Sequence, residues 1–345
     1  MKRPPDMRAP DRQRYLDAVA HRPRPDVPLF ETEADPAIVE GMLGKAVDYA
    51  LHSFELPIAD VVEWNRRMGN DMAYFSHVWH LGRKEMRDEH GRLHYVDGTM
   101  KSRAALRDLP LPDLDALRRR LEALLAALEG TGMGVVIGAQ TAGFTAATAI
   151  GFQDFCIAAI EDPAFVDEFQ KLLHAYTLRE LAMYLEYPID AVKIGSGLIA
   201  GGGPMLGPEM MERFEYRHMR EQASMIKAAG KVLMFHIDGQ VEPLLPTLLA
   251  MGADVLHPID PCGGQQDIYH LKEAWGGRIA LHGNIDINGV LLAGTVADVR
   301  ADVQRHIDAL AGRGGYIVSS SHDLHQLLPL ENIYAMRDAA HEHAP

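Results

Sequence analysis

Two short segments place a histidine and an acid where they could act together. In Phe235-His236-Ile237-Asp238-Gly239, an apolar run that begins after Lys231 delivers a histidine and an aspartate, two residues apart, into a glycine. Side chains two apart on a strand share a face, so both would enter the same space. A second apolar run ends in the same manner, Gly315-Tyr316-Ile317-Val318-Ser319-Ser320-Ser321-His322-Asp323. Imidazole and carboxylate are metal ligands and also proton-transfer groups, so His236, Asp238 and His322 make a candidate metal or acid/base centre. The chain holds seventeen histidines, and these three mean something only if an architecture brings them together.

The apolar runs supply that architecture. Strand candidates fall at 27–30, 72–75, 134–139, 191–195, 232–235, 254–256, 278–281 and 315–318. Between them, stretches at 113–128, 163–185, 208–229, 296–311 and 331–342 repeat apolar residues at three and four. Strand and helix alternating across eight strands predicts a single (β/α)8 barrel, residues 26–345, preceded by a short helical arm in residues 1–25. Its long helices should lie outside, with Ala182 and Leu185 facing the sheet. A doubly wound open sheet has the same alternation but wants a glycine-rich phosphate turn after its first strand. Here that strand runs into Glu31-Thr32-Glu33-Ala34-Asp35-Pro36, and Gly201-Gly202-Gly203-Pro204 lacks a nucleotide-loop lysine. The polar insertion at 83–101, with turn signals at 89–91 and 97–98, is expected over the barrel mouth.

Composition narrows the partners. A net charge of −14 disfavours a phosphate backbone, so no nucleic acid is expected. Two cysteines, Cys156 and Cys262, are too few for a disulfide framework or a four-cysteine metal site. With no apolar leader and no membrane span in the sequence, a cytoplasmic protein that engages no membrane is the expectation.

A barrel works at the C-terminal ends of its strands. The residues there are polar at every strand: Glu31 and Glu33, Ser76 and His77, Gln140 and Thr141, Ser196, His236 and Asp238, His257 and Asp260, His282, Asn284 and Asp286, and Ser319 to His322. Glu31, Gln140, Ser196, Asn284 and His257 are therefore the candidate substrate-binding residues, and convergence of this kind speaks against a non-catalytic binding protein. Asp286, Asp323 and Ser76 have an equally good reading as helix caps. His270, His306, His341 and His343, on helices or the tail, read as solvated.

These motifs carry a resemblance. Residues 14–28, Gly203-Pro204-Met205-Leu206-Gly207-Pro208-Glu209-Met210, the His236/Asp238 segment and residues 257–286 resemble the uroporphyrinogen decarboxylase superfamily, and within it the corrinoid-dependent methyltransferase branch. The resemblance implies a barrel with its site at the C-terminal face. Two departures matter. The arginine-rich segment with which the decarboxylases hold carboxylates is replaced by Leu29-Phe30-Glu31-Thr32-Glu33-Ala34-Asp35, whose acids would repel a polycarboxylate. Where thiol-methylating relatives hold zinc with a His-x-Cys pair and a later cysteine, this chain has His236, Asp238 and His322. Zinc without thiolates is the stronger Lewis acid and suits a departing oxygen better than a thiolate nucleophile.

The resemblance thus implies methyl transfer from a small O- or N-methylated substrate to cob(I)alamin on a partner corrinoid protein. His236, Asp238 and His322 would be catalytic and hold zinc, Glu31 would be an additional ligand, and a homodimer is compatible with the family. The alternative is a metal-free decarboxylase of a small acid, which would want cationic residues at the mouth; Lys193 and Arg278, inside strands, are poor candidates.

Overall fold

The computed structural model describes residues 7–89, 91–261 and 264–342. Seven parallel strands follow one another in sequence order: Met72–Phe75, Gly134–Ala139, Ala191–Ser196, Val232–Ile237, Val255–Pro258, Ala280–His282 and Tyr316–Ile317. Each lies on an expected run, and helices cover the outside of the curled sheet. The result is a TIM-barrel-like α/β fold.

The expected first strand, 27–30, makes a bridge where the others make ladders. Leu29 pairs with Val318 in parallel, and Val318 N donates to Pro28 O at 2.9 Å. Pro28 has no N–H to give, which interrupts pairing at this edge. On the other side one backbone bond, from Asp71 N to Leu29 O at 2.9 Å, is supplemented by side chains: the Asp71 carboxylate accepts from Leu29 N at 3.3 Å and Asn70 Oδ1 from Glu31 N at 3.0 Å. Buried backbone donors are satisfied either way.

The long helices begin and end for local reasons. Pro163 opens Pro163–Leu185 behind an Asp162 cap that accepts from Phe165 N at 3.1 Å, and Thr295 and Asp298 form a capping box on Val296–Leu310. Toward the sheet, Pro163–Leu185 buries Leu181 and Tyr184, leaving Ala182 outside and Leu185 half-buried, a rotation from the expected face. Short helices at Pro36–Leu43, Ala142–Ile150 and Phe152–Glu161 fill stretches that carry little periodicity. Among the described residues no single helix is long and apolar enough to cross a membrane.

Strand alternation divides the core in two. Phe75, Ile137, Ile194, Phe235, Leu256 and Leu281 face the helices. Met72, Tyr74, Val136, Ala191, Met234, Val255, Ala280 and Ile317 fill the interior together with Tyr15 and Ala18 of the helix Arg12–Val19. The N-terminal arm therefore closes the lower end of the sheet and contributes to its core.

The insertion is an antiparallel hairpin, Arg83–Arg87 with Leu93–Gly98. Its turn sits where expected, with Gly91 N donating to Asp88 O at 3.0 Å, although residue 90 lies outside the described residues. Asp97-Gly98 ends the return strand and is not a second turn.

Candidate metal centre

Two residues beyond the apolar interior layer, the same alternation brings polar side chains inward. Met234 is followed by His236, Val255 by His257, Ala280 by His282 and Ala191 by Lys193. Parallel register sets them side by side: His236 pairs with His257, and Leu281 with Leu256. The His236 and His257 rings are joined Nδ1 to Nδ1 at 2.9 Å, and the His257 and His282 ring centroids are 4.5 Å apart. His282 Nε2 donates to Phe30 O at 2.7 Å and its ring stacks on Phe30. Burial holds His236 and His257 well below the usual histidine pKa and His282 down at about 3, so all three are neutral imidazoles.

Gly239, at φ 82°, turns the chain directly after Asp238 and leaves that carboxylate above His236. His236 Nε2 lies 3.6 Å from Asp238 Oδ1, and His322 Nε2 lies 3.5 Å from the same oxygen. The three potential ligand atoms fall within 4.8 Å of one another. Tetrahedral zinc with ligand bonds of roughly 2.1 Å sets its ligands about 3.4 Å apart, so both distances match a metal-sized gap. The second observation is the orphaned Asp238 Oδ1, buried without a hydrogen-bond donor. Among the described residues this is the one group of three or more metal-ligating side chains that meets the geometry.

The tautomer of His236 agrees with such a centre, whereas His322 Nδ1 accepts from Asp323 N at 2.8 Å, so the neutral His322 ring carries its proton on Nε2 and must give up that proton or turn before Nε2 can bind a metal. One N–H is shared between His236 Nδ1 and His257 Nδ1; if His236 carries it, His236 Nε2 has a free lone pair toward Asp238. His257 is then the acceptor that fixes the ring. Burial raises Asp238, whereas His322, which burial alone would lower, is raised by Asp323, Asp238 and Glu33.

Of the remaining expected site residues, Glu31, Gln140 and Asn284 have protein partners, whereas the buried Ser196 Oγ has no hydrogen-bond partner. Glu31 does not join the centre: it is buried and faces Ser320, receiving the Ser320 N–H, with 2.8 Å between Glu31 Oε2 and Ser320 Oγ. Ser320 Oγ also contacts His322 O, so its single proton cannot serve two acceptors. A protonated Glu31 resolves the count by donating to Ser320 Oγ, in agreement with burial pushing its pKa up to about 8. Gln140 Nε2 donates to His77 O at 3.0 Å. Ser196 is buried near the equally buried Glu215. Asn284 Oδ1 lies 3.0 Å from His306 Nε2, which makes His306 a buried core residue and not a solvated one. His341 is likewise buried and His270 is exposed as expected, while His343 and Cys262 lie outside the described residues. Asp286 caps the helical turn after it, accepting from Asn288 N at 2.9 Å.

The Glu31 arrangement predicts a pH dependence. A carboxyl whose folded pKa is raised from 4.5 to about 8 binds more proton folded than unfolded, so its contribution to stability falls as pH rises between those values. Glu31→Gln keeps a donor toward Ser320 and cannot ionise. Its stability relative to the parent should therefore climb from pH 5 to pH 8, by on the order of 1.4 kcal/mol per unit at most. Thermal melts at four pH values test this, and a pH-independent difference would show that Glu31 is ionised.

Beside the centre opens a cavity of ≈ 500 Å³, reached by His322 and Asp323 and covered by the hairpin through Arg83, Glu85, Arg92, Leu93 and Tyr95. Glu31, Gln140, Ser196, Asn284 and His257 are not among its lining residues. Two participants had little signal in sequence. Lys193, buried inside the sheet, lies 3.7 Å from Glu33 and 4.2 Å from the Tyr74 ring centroid; a lysine at an inward, period-two position was the available clue. His52 lies 3.6 Å from Glu33, and nothing around it in the chain marks it.

Residues 82–343 match the model of the uroporphyrinogen decarboxylase (URO-D) family. Among solved structures the chain is similar to a methyltransferase from Methanosarcina mazei, with TM-score 0.72, 17% sequence identity, and 96% of this chain and 98% of that chain covered. A structure of L-ribulose 3-epimerase aligns at TM-score 0.40 and 15% identity over 76% of each chain. Among curated proteins, none matches. With the family match extending over more than half of its length, the chain belongs to the uroporphyrinogen decarboxylase family.

Proposed function

We propose that this protein is a corrinoid-dependent methyltransferase that moves a methyl group from a small O- or N-methylated compound to the cob(I)alamin of a partner protein. The observation that carries the reading is the His236/Asp238/His322 group, whose 3.5 and 3.6 Å separations suit zinc and which contains no thiolate. The methyltransferase neighbour supports the scaffold, and the triad supports the chemistry. On this reading the segment 27–30 is the first strand of a complete eight-stranded barrel, the arm gives way to the barrel at residues 25/26, and the protein works in the reducing cytoplasm.

His236, Asp238 and His322 would hold zinc, which when bound supplies a Lewis acid for the departing oxygen or nitrogen. The chain's own residues do the rest. When the methyl group leaves, the electron pair of its old bond stays on that atom, which must lie next to the triad at the cavity wall. His257 holds the tautomer and orientation of His236 through the 2.9 Å Nδ1 contact. The hairpin limits water over the cavity. Against the decarboxylase reading, the cavity's two guanidinium groups already face acids: Arg92 is 2.7 Å from Asp35 and Arg83 is 3.6 Å from Glu85.

Purified protein, free cob(I)alamin and a panel of methoxylated and methylamine compounds test the proposal. Loss of the cob(I)alamin absorbance with a panel member is the expected result. No reaction across the panel, with carbon dioxide released from a small acid, would establish the decarboxylase instead. A finer expectation concerns His257→Phe, which removes the acceptor for His236 Nδ1. Zinc affinity should fall about 10–100-fold by chelator competition, the usual cost of losing a ligand's outer partner. Unchanged affinity would reduce His257 to packing.

A further inference from the structure

The cavity beside the triad has a charge that the methyl-transfer reading leaves unexplained. Five carboxylates line it, Glu33, Asp35, Glu85, Asp260 and Asp323, against two guanidinium groups and four histidines, of which His52 lies 3.6 Å from Glu33 and His80 3.0 Å from Glu85. Both guanidinium groups are engaged, Arg92 with Asp35 and Arg83 with Glu85, and Lys193 reaches Glu33 from inside the sheet. Asp323 is served poorly. The nearest ring that could carry charge is His322, whose Nδ1 at 3.8 Å already accepts from Asp323 N; the Asp323 side chain is 35% exposed, and its Oδ1 has no hydrogen-bond donor. The exposed part of this carboxylate lines the cavity, and a cation there would compensate a charge that the protein itself serves poorly.

The walls also offer aromatic faces. Tyr49 and Tyr95 line the same space, and the Tyr95 ring already accepts a cation, with the Arg83 guanidinium carbon 5.3 Å from its centroid. Carboxylates beside tyrosine faces, in a volume of ≈ 500 Å³, recognise a small organic cation better than an anion or a neutral ether.

We propose that this chamber binds a positively charged group, an ammonium or similar organic cation, carried by the substrate at a distance from its reacting methyl. The inference rests on the methyl-transfer reading and narrows it to methylated compounds that bear a cationic group. The cation sits against Asp323 and the tyrosine faces, while the end carrying the methyl reaches His322 and the rest of the triad.

Calorimetric titration of the full-length protein with choline, and separately with 3,3-dimethylbutan-1-ol as its uncharged isostere, tests the charge without any turnover. Choline should bind at one site at least about tenfold more tightly than the alcohol, a difference of about 1.4 kcal/mol. Added salt should weaken choline and spare the alcohol. Asp323→Asn, nearly isosteric, should weaken choline about tenfold; if that variant does not fold, the salt series on the parent protein decides. Equal affinities, no binding of either compound, or preference for the anion pivalate would overturn the proposal. The two readings fail separately: methyl transfer from uncharged methoxy compounds without choline binding removes this inference alone, whereas choline binding with an inert panel removes the methyl-transfer reading.

Discussion

Replacing His236 with alanine should strip the protein of stoichiometric zinc and lower methyl transfer by about 10³-fold or more, while the fold survives. The loss in rate corresponds to the several kcal/mol that a Lewis acid contributes to a departing atom. The survival of the fold follows from position: His236 is half-buried at the polar upper layer, and the apolar layer beneath it, Met234 with Val255 and Ala280, is untouched. Removing one ligand leaves Asp238 and His322, too few to hold zinc against solvent. It also leaves His257 Nδ1 without its 2.9 Å partner, which should cost no more than about 1–3 kcal/mol. His270→Ala is the control, an exposed histidine paired with Glu242 on an outer helix. Metal analysis of protein purified without chelator, together with the cob(I)alamin assay, reads both effects. A metal-free parent protein of full activity would leave the triad as an acid/base set, and an active His236→Ala would remove it from the chemistry.

The triad was legible because its information is local. His236 and Asp238 are two apart at the end of an apolar run, and strand periodicity alone predicts that they share a face. His322 needed the strand-helix rhythm as well, to place the last strand end within reach of the strand that carries His236. Glu31 had the same credentials but a different outcome. Its side chain is taken by Ser320, because the first segment bridges the last strand directly and the two strand ends press together. Adjacency of strands, which made Glu31 attractive as a ligand, is also what supplied it with a competing partner.

Histidines on helices show the complementary limit. His306 lies in an amphipathic stretch and reads as solvated, yet it is on the face with Val299, Val303 and Ile307 and meets Asn284 in the core. A polar residue on a buried stripe is invisible to hydrophobic patterning, since its burial is compensated by one specific partner far along the chain. The hairpin is a mixed case. Its polar composition and Gly91 gave the turn, but that Arg92 would tie it to Asp35 across the cavity depends on tertiary placement.

Arg14→Leu should be the most destabilising single substitution outside the apolar core, by about 3–5 kcal/mol, because it leaves a buried acid without its cation. Arg14 is buried under the lower end of the sheet, with Nη1 on the Asp71 carboxylate and Nε 2.7 Å from Asp26. Burial pushes the Asp71 pKa up to about 7, against the pull of Arg14. Its partners, however, are all donors: Arg14 Nη1, Asp11 N at 2.8 Å and Leu29 N at 3.3 Å, so the ionised form fits the site. Without Arg14 that carboxylate must take a proton or draw in water, and either change loosens the clamp on Leu29. The cost should therefore reach the upper rim, since Leu29 precedes the segment that sets Glu31 against Ser320. Arg24, more exposed in the neighbouring surface network with Asp11, Asp17 and Asp26, gives the contrast, and Arg24→Ala should cost at most about 1 kcal/mol. Combining Arg14→Leu with Asp71→Asn removes the stranded charge but keeps an acceptor for only one of the two backbone donors, since Asp11 N and Leu29 N bond different carboxylate oxygens, so only part of the lost stability should return. Chemical denaturation of the two single variants and the double variant measures each quantity. If Arg14→Leu costs under about 1 kcal/mol, water already reaches Asp71, and the pair does not hold the segment around Leu29 against the sheet.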